Sequence, residues 1–501
     1  MPVRPARGAP GPVAQPARRR TKAPGAAAPP ATDPGDERRP LARRRLAAPP
    51  RSANASRSGG SRPALKPGLP ARAAAVAIVD AVLGGRQLDA ALDPVEGDSR
   101  IGALPERDRA LARAIVGVSL RRIGQIEDAL GRMMARPLPQ KAHLARAILV
   151  VGAAQLLFLD VPDHAAVSLA VDLARADRQA THHANLVNGV LRRLAREKSF
   201  VLAEQDETRL NTPPWLYARW QAAYGEDGAA ALAAAHLQEA ALDLGVKADA
   251  ATWAERLGGR VLPTGAVRVT PRGPVERLDG YLEGAWWVQD AAAALPPRLF
   301  GDVRGKRIAD LCAAPGGKTA ALAAAGATVT AVDQSAARLA RLRENLARLR
   351  LEAEIVEADL RTWAPETTFD GVLLDAPCSA TGTLRRHPDI ALTKGPEDVA
   401  GLAVLQADLL ARAAAWVAPG GLLVYCTCSL ERDEGEDQIA AFLASHPDFA
   451  RVPVEAAEIG GIADAINADG DLRTLPFQIA ETEGSRGGWD GFFAARLRRT
   501  S

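Results

Sequence analysis

The chain has 501 residues, a formal net charge of +4 and a hydrophobic share of 47%, ordinary for a soluble protein of two to four domains. Its four cysteines, Cys312, Cys378, Cys426 and Cys428, contain no C-x-x-C pair, which excludes a disulfide framework and argues against a metal site. Charge is uneven: residues 1–70 hold 15 Lys/Arg against 3 Asp/Glu, a net of +12, and the rest of the chain sums to −8.

The N-terminal tail, residues 1–70, also carries 15 prolines and almost no large apolar residue. Such a segment cannot bury a core, and it is predicted to be disordered. Two roles suit it about equally: a non-specific RNA tether acting by phosphate neutralisation, or an unselected extension. An organellar transit peptide ranks third, because no amphipathic helix is evident. No apolar run follows the N-terminal arginines, so no signal peptide is visible. Free thiols suit a reducing cytoplasm.

From residue 71 to about 200 the pattern is helical. Leu111, Ile115 and Val118 mark one helix face within Glu106–Arg122. Leu186, Val190 and Leu194 mark another, flanked by Arg192, Arg193 and Arg196. The most apolar stretch, His143–Leu159, is shorter than the ~20 residues a membrane span needs and contains Arg146 and Gln155. It reads as a buried core helix. Residues 205–285 change character. Trp215 and Trp220 flank a helix after Pro213-Pro214, and short apolar runs such as Leu242–Val246 then alternate with Gly/Pro turns. This is a small α+β module, whose tryptophans, Trp253 included, read as core rather than as base-stacking platforms.

Residues 286–501 alternate strand and helix. Strands are predicted over Arg307–Leu311, Ala327–Val332, Ala353–Ala358, Phe369–Leu374 and Leu422–Thr427. The clearest helix is Ala336–Leu349, with Leu339, Leu342, Leu346 and Leu349 in one stripe. The pattern implies an α/β fold with a doubly wound parallel sheet. Gly491–Leu497 reads as an antiparallel edge strand.

Ligands of such sheets bind beyond the carboxyl ends of the strands. The first strand runs from Asp310 into Cys312, Ala313, Ala314, Pro315, Gly316, Gly317 and Lys318, the candidate cofactor loop, whose small residues would let the backbone approach a ligand. It lacks the first glycine of a Walker A loop and is not G-x-G-x-x-G. Asp310, Asp333, Asp359 and Asp375 lie at four strand ends. Together they would repel a polyphosphate and suit an adenosine bearing a cationic sulfonium, S-adenosyl-L-methionine. Asp333 is placed for the ribose hydroxyls and Asp359 for the adenine. Lys318 would serve the loop or the methionine carboxylate.

Cys378 follows the fourth strand in Asp375-Ala376-Pro377-Cys378-Ser379, and Cys428 the fifth in Tyr425-Cys426-Thr427-Cys428-Ser429. Thiols at strand ends beside a cofactor loop point to covalent catalysis. Spacing does not say which of the two attacks.

Asp310–Thr319, Asp375–Thr383 and Tyr425–Ser429 together resemble the RNA cytosine-C5 methyltransferases. Arg385-Arg386-His387-Pro388-Asp389 and Asp490-Gly491-Phe492-Phe493 are similar to the bacterial 16S rRNA branch, the RsmB/Sun/Fmu family. The helical region resembles the RNA-binding antitermination factor NusB through Leu104–Asp108, Leu144–Leu159 and Asn188–Arg192. The resemblance implies a Rossmann-like methyltransferase domain behind a NusB-like RNA-binding domain. It implies methylation of C5 of a cytosine in 16S rRNA, free or in an early assembly intermediate, with no membrane and no obligate protein partner. It assigns Cys428 as nucleophile, Cys378 to product release, and Asp375 to the N3/N4 edge of the cytosine. Arg385, Arg386 and His387 would line the RNA path. Two residues depart from the family pattern: Cys426, read as a small buried hydrophobe with Cys426–Cys428 oxidation as the minor alternative, and Gly435. The competing class is an RNA-binding antitermination-type factor with a relic catalytic domain. The retained aspartates and thiols weigh against it.

Overall fold

The computed structural model describes residues 66–93, 97, 99–270, 273–482 and 486–500. The reading of the basic tail falls almost wholly on residues 1–65, outside the described residues.

Six longer helices, Leu69–Leu83, Glu106–Arg121, Ile123–Met133, His143–Phe158, Asp163–Ala176 and Ala184–Glu204, build the N-terminal domain. The apolar helix His143–Phe158 packs against each of the other five. Its two polar residues are both provided for. Arg146 reaches Glu127 at 2.8 Å on the surface. The buried Gln155 accepts a hydrogen bond from Arg72 Nε at 2.6 Å and donates to the Val151 carbonyl at 2.8 Å. A buried amide satisfied on both sides is tolerated in a core, so this is the central helix of a bundle.

The connecting module begins with the helices Glu207–Asn211 and Pro214–His236, the second kinked where Gly225 turns to a φ of +75°. Its sheet has four strands, β1 (Leu242–Val246), β2 (Arg260–Val261), β3 (Val267–Val269) and β4 (Trp286–Val288), antiparallel in the order β2-β3-β1-β4. Strand β4 moves the end of this module from residue 285 to 288. Trp220 is buried in one of its two cores, and Trp215 and Trp253 pack half-buried against them, as the sequence reading favoured; Trp286 is buried as well. The long helix packs through Leu216 and Trp220 on Leu384, Ile390 and Leu430, which belong to loops of the next domain.

That domain contains β5 (Arg307–Leu311), β6 (Thr328–Asp333), β7 (Glu354–Glu357), β8 (Phe369–Asp375), β9 (Val417–Thr427), β10 (Phe449–Arg451), β11 (Leu472–Thr474) and β12 (Phe492–Arg499). They run in the order β10-β12-β9-β8-β5-β6-β7, with β11 also on β12. Strands β5 to β9 pair in parallel. The chain reverses direction of winding between β5 and β8, the position where ligands bind in doubly wound sheets.

The last strand corrects an expectation. It is antiparallel to β9, but it is not an edge, because β10 and β11 pair along its other side. Phe492 to Leu497 are all buried. A run apolar on both faces is the signature of an interior strand. Its two covering strands have three residues each, too few to show a period.

Candidate active site

Strands β8 and β9 lie side by side in parallel, with Asp375 opposite Cys426. Their carboxyl ends therefore emerge together, and the Ala376 N–H still donates to the Cys426 carbonyl at 2.9 Å. Beyond them, Cys378 Sγ and Cys428 Sγ stand 3.5 Å apart. The two loops are pressed together further on, where the Gly382 N–H donates to the Cys428 carbonyl at 3.0 Å. A Cβ on Gly382 would lie 2.0 Å from the Gly491 carbonyl oxygen, so only glycine fits this crossing. The thiols border a pocket of about 350 Å³, whose walls include Cys312, Asp333, Asp359, Asp375, Cys378 and Cys428.

The loop after β5 contributes to this pocket through Cys312, in a left-handed conformation at φ +58°. Burial pushes the Cys312 thiol well up. Ala313 and Ala314 are buried against the leucine stripe of the helix Ala336–Leu349. Gly316, at φ +102°, sits where a Cβ would come 2.8 Å from Leu342, and Gly317 opens the helix Gly317–Ala324. The small residues thus serve the turn and its packing onto the neighbouring helix.

Three of the four strand-end aspartates face the pocket; the fourth does not. Asp310 lies beneath the loop, fully buried, accepting the Thr319 hydroxyl at 2.6 Å, and burial pushes its carboxyl up to about 7. Asp333 accepts the Ala314 N–H at 3.2 Å and the Ser335 N–H at 2.9 Å, so it ties the β5 loop to the end of β6. Asp359 is held by Arg361 at 2.6 Å, whose hydrogen bonds bring its carboxyl down to about 2.

Lys318 differs from expectation. Its ammonium is directed to Asp375, 2.8 Å from Oδ2, and 4.8 Å over the Phe492 ring. Burial opposes its charge, but the Asp375 carboxylate outweighs burial and keeps the lysine protonated, with the sulfurs of Cys426 and Cys428 acting in the same direction. The Cys426 thiol donates to Asp375 Oδ1 at 3.5 Å and is fully buried. Burial pushes it well up. The sulfur that contacts Cys428 is Cys378, and Cys426 is turned to the carboxylate.

Arg385 and Arg386 are engaged by internal partners. Arg385 is 3% exposed and donates to the Glu239 and Gly487 carbonyls at 3.0 and 2.9 Å. Arg386 bridges Asp290 at 2.5 Å and Asp490 at 2.9 Å, both buried. Burial works to raise the Asp290 carboxyl, and the Arg386 guanidinium and backbone N–H donors outweigh it. Asp490 is pushed up, by burial first and by the Asp290 charge second. His387 is half-exposed, its Nδ1 3.6 Å from Asp89 of the helical domain. The same segment receives Arg121 on the Arg385 carbonyl at 3.0 Å and the Leu88 N–H on Asp389 at 2.9 Å. The Arg385 carbonyl, His387 and Asp389 join the helical domain to the catalytic one, while the two arginine side chains turn to backbone carbonyls and to two buried carboxylates. Replacing Arg386 with methionine strands two buried carboxyls and is expected to cost about 3–5 kcal/mol of stability. Denaturant unfolding measures the loss, and KM for RNA in the folded fraction should stay at the wild-type value.

Among the described residues no group of three or more His, Cys, Asp or Glu side chains is placed to hold a metal ion. A mixed sheet with a parallel centre, acids at its strand ends and two thiols beyond β8 and β9 defines a methyltransferase of the S-adenosylmethionine-dependent class. Residues 299–498 match the family model for the 16S rRNA methyltransferase RsmB/F, and residues 69–196 match that of the NusB family. Ribosomal RNA small subunit methyltransferase B of Cronobacter sakazakii is 36% identical over 442 residues, covering 85% of this chain and 97% of that protein. The protein of the same name from Sodalis glossinidius is 38% identical over 445 residues, covering 85% and 96%. The crystal structure of PH0851 has the same fold, with a TM-score of 0.67 at 23% identity over 85% of this chain and 98% of that one. The chain belongs to the RsmB/F family of 16S rRNA methyltransferases, with an N-terminal domain of the NusB family.

Proposed function

We propose that this chain methylates C5 of a specific cytosine in 16S rRNA, with Cys428 forming a transient covalent bond to C6 and Cys378 assisting release. The observation that carries the reading is the 3.5 Å approach of two thiols at the rim of a pocket bounded by Asp333, Asp359 and Asp375. S-adenosylmethionine supplies an electrophilic methyl group when bound. The residues present fit it: Asp333 and Asp359 line the pocket as carboxylates able to accept ribose and adenine hydrogen bonds, and Leu405 and Leu409 offer apolar wall.

C5 of cytosine is a weak nucleophile. Addition of a thiolate to C6 turns the ring into an enamine, whose C5 then takes the methyl. Loss of the C5 proton to solvent restores the C5–C6 double bond and expels the thiolate. Free thiols are only a few per cent ionised at neutral pH, so local help is needed. Lys318 is a cation held charged by Asp375 and close enough to Cys428 to feel its charge. Asp375, which lines the pocket with both thiols, would accept from the N4 edge of the base as the thiolate adds.

Cys378 supports the same division of labour. Its thiol is pushed well up, by the hydrogen bond with Cys428 first, then by burial and the Cys428 charge. Two like charges at that distance cannot both ionise. With Cys428 as the attacking thiolate, Cys378 stays protonated, and its S–H, 3.5 Å away, can donate to the departing sulfur. The helical domain contributes RNA binding, and the target base leaves its stack to reach the thiols. The reduced thiols suit the cytoplasm. Bisulfite sequencing of 16S rRNA tests the whole: in a strain lacking this gene, one cytosine should lose protection and regain it with the wild-type gene. An unchanged set of protected cytosines would refute the reading.

A further inference from the structure

Each of the two thiols is followed by a serine, and both serines are fully buried. Ser379 Oγ and Ser429 Oγ approach to 3.2 Å directly behind the sulfurs. Beneath them lies Glu434, also fully buried, from the acidic run after β9. Its Oε1 accepts the Ser379 N–H at 2.9 Å and the Gln406 side-chain amide at 3.0 Å, and its Oε2 accepts the Ser379 hydroxyl in a short hydrogen bond.

A hydroxyl has one proton. Ser379 gives its proton to Glu434, so at the serine–serine contact Ser429 must donate and Ser379 accept. Ser429 Oγ in turn accepts the Glu431 N–H at 3.0 Å. Hydrogen bonds thus run from the Cys428 loop through Ser379 of the Cys378 loop to Glu434, while Thr381 lies 3.4 Å from Ser429 and donates to a second carboxylate, Glu431, at 3.3 Å. The three donors on Glu434 are neutral groups. A buried carboxylate without a cation is costly for stability. Such costs are retained where geometry or charge is used.

We propose that Glu434 is the positioning residue that locks the Cys378 loop to the Cys428 loop and so sets the separation of the two sulfurs. It acts through Ser379 and Ser429 and touches neither substrate nor cofactor. Its charge has a second effect in the same direction: together with Cys428 it holds Cys378 in the thiol form. The roles assigned to the thiols rest on the function proposed above; the loop-locking itself does not.

The test is Glu434→Gln in the full-length protein. The amide must turn its NH₂ toward Ser379 Oγ, which reverses the hydrogen-bond chain and removes the charge. Iodoacetamide labelling of the free enzyme, resolved by peptide mass spectrometry across pH 6–10, reads each thiol separately. Cys378 should label about tenfold faster at pH 8 in the variant, the equivalent of one pKa unit. In methylation, kcat should fall about 10²-fold, as expected for misplaced reacting groups, with KM for both substrates within twofold of wild type. A labelling profile of Cys378 that superimposes on wild type, or a loss confined to KM, would overturn the proposal. If Glu434→Gln does not fold, Ser429→Ala cuts the chain and leaves the carboxylate in place. That variant should lose about tenfold in kcat, and unchanged turnover in folded protein refutes the locking. Labelling needs no RNA, so it decides the role of Glu434 even if the RNA substrate has been misidentified.

Discussion

Cys428→Ala will abolish methyl transfer, lowering kcat by roughly 10⁴-fold or more, the scale seen when a covalent nucleophile is removed. Two thiols sit within 3.5 Å of each other, so the second might be thought able to take over. The electrostatics oppose that. Cys378 is pushed well up by its hydrogen bond to Cys428, then by burial, with the Glu434 charge adding to both. In Cys428→Ala the first contribution disappears, but burial and Glu434 remain. Transfer of labelled methyl groups to RNA measures the loss. Binding of S-adenosylmethionine should be retained, because the acids at the ends of β6 and β7 are untouched. A variant that still methylates at more than a per cent of the wild-type rate would mean that Cys378 is the nucleophile.

Cys378→Ala should do something different in kind. Addition to C6 and methylation of C5 need only Cys428, so the first turnover proceeds. Expulsion of the Cys428 sulfur is slowed, because the S–H placed to donate to it is gone. Loss of such a proton donor typically costs 10²–10⁴-fold. The methylated RNA then accumulates bound to protein, visible as a denaturation-resistant band containing both. Cys378→Ala and Cys428→Ala together should give no band. Absence of the band in Cys378→Ala, with turnover also lost, would place Cys378 in an earlier step.

The division between what can be read in the chain and what cannot follows from the range of each signal. Helices and strands arise from local periodicity. Ala336–Leu349 was legible to the residue, and four of the five parallel strands lie within about a residue of their predicted ends, β9 alone starting earlier. Strands β10 and β11 were not, because three residues carry no period. The arginines after the thiol loop read as an RNA path because they directly follow a catalytic loop. Their partners, the buried Asp290 and Asp490 and two backbone carbonyls, come from remote segments. Lys318 reads, from its place in the loop, as serving the loop or the methionine carboxylate, and its partner Asp375 lies 57 residues away. Glu434 passed as one acid in an acidic run; only its burial under two Cys-Ser pairs sets it apart.

The sequence by itself determined the kind of chemistry: thiols and carboxylates at strand ends, a non-phosphate cofactor loop, and helices enough for a separate domain. Spacing alone left Cys378 and Cys428 as two candidates fifty residues apart, and the family resemblance assigned the attack to Cys428. Tertiary structure decided their relation. Parallel pairing of β8 with β9 brings both loops out at one edge of the sheet. The glycine crossing at Gly382 and the carboxylate of Glu434 then bring the sulfurs into contact. Contact couples the pair, because neighbouring thiols cannot both hold charge; the choice of Cys428 as the attacking one comes from the family resemblance.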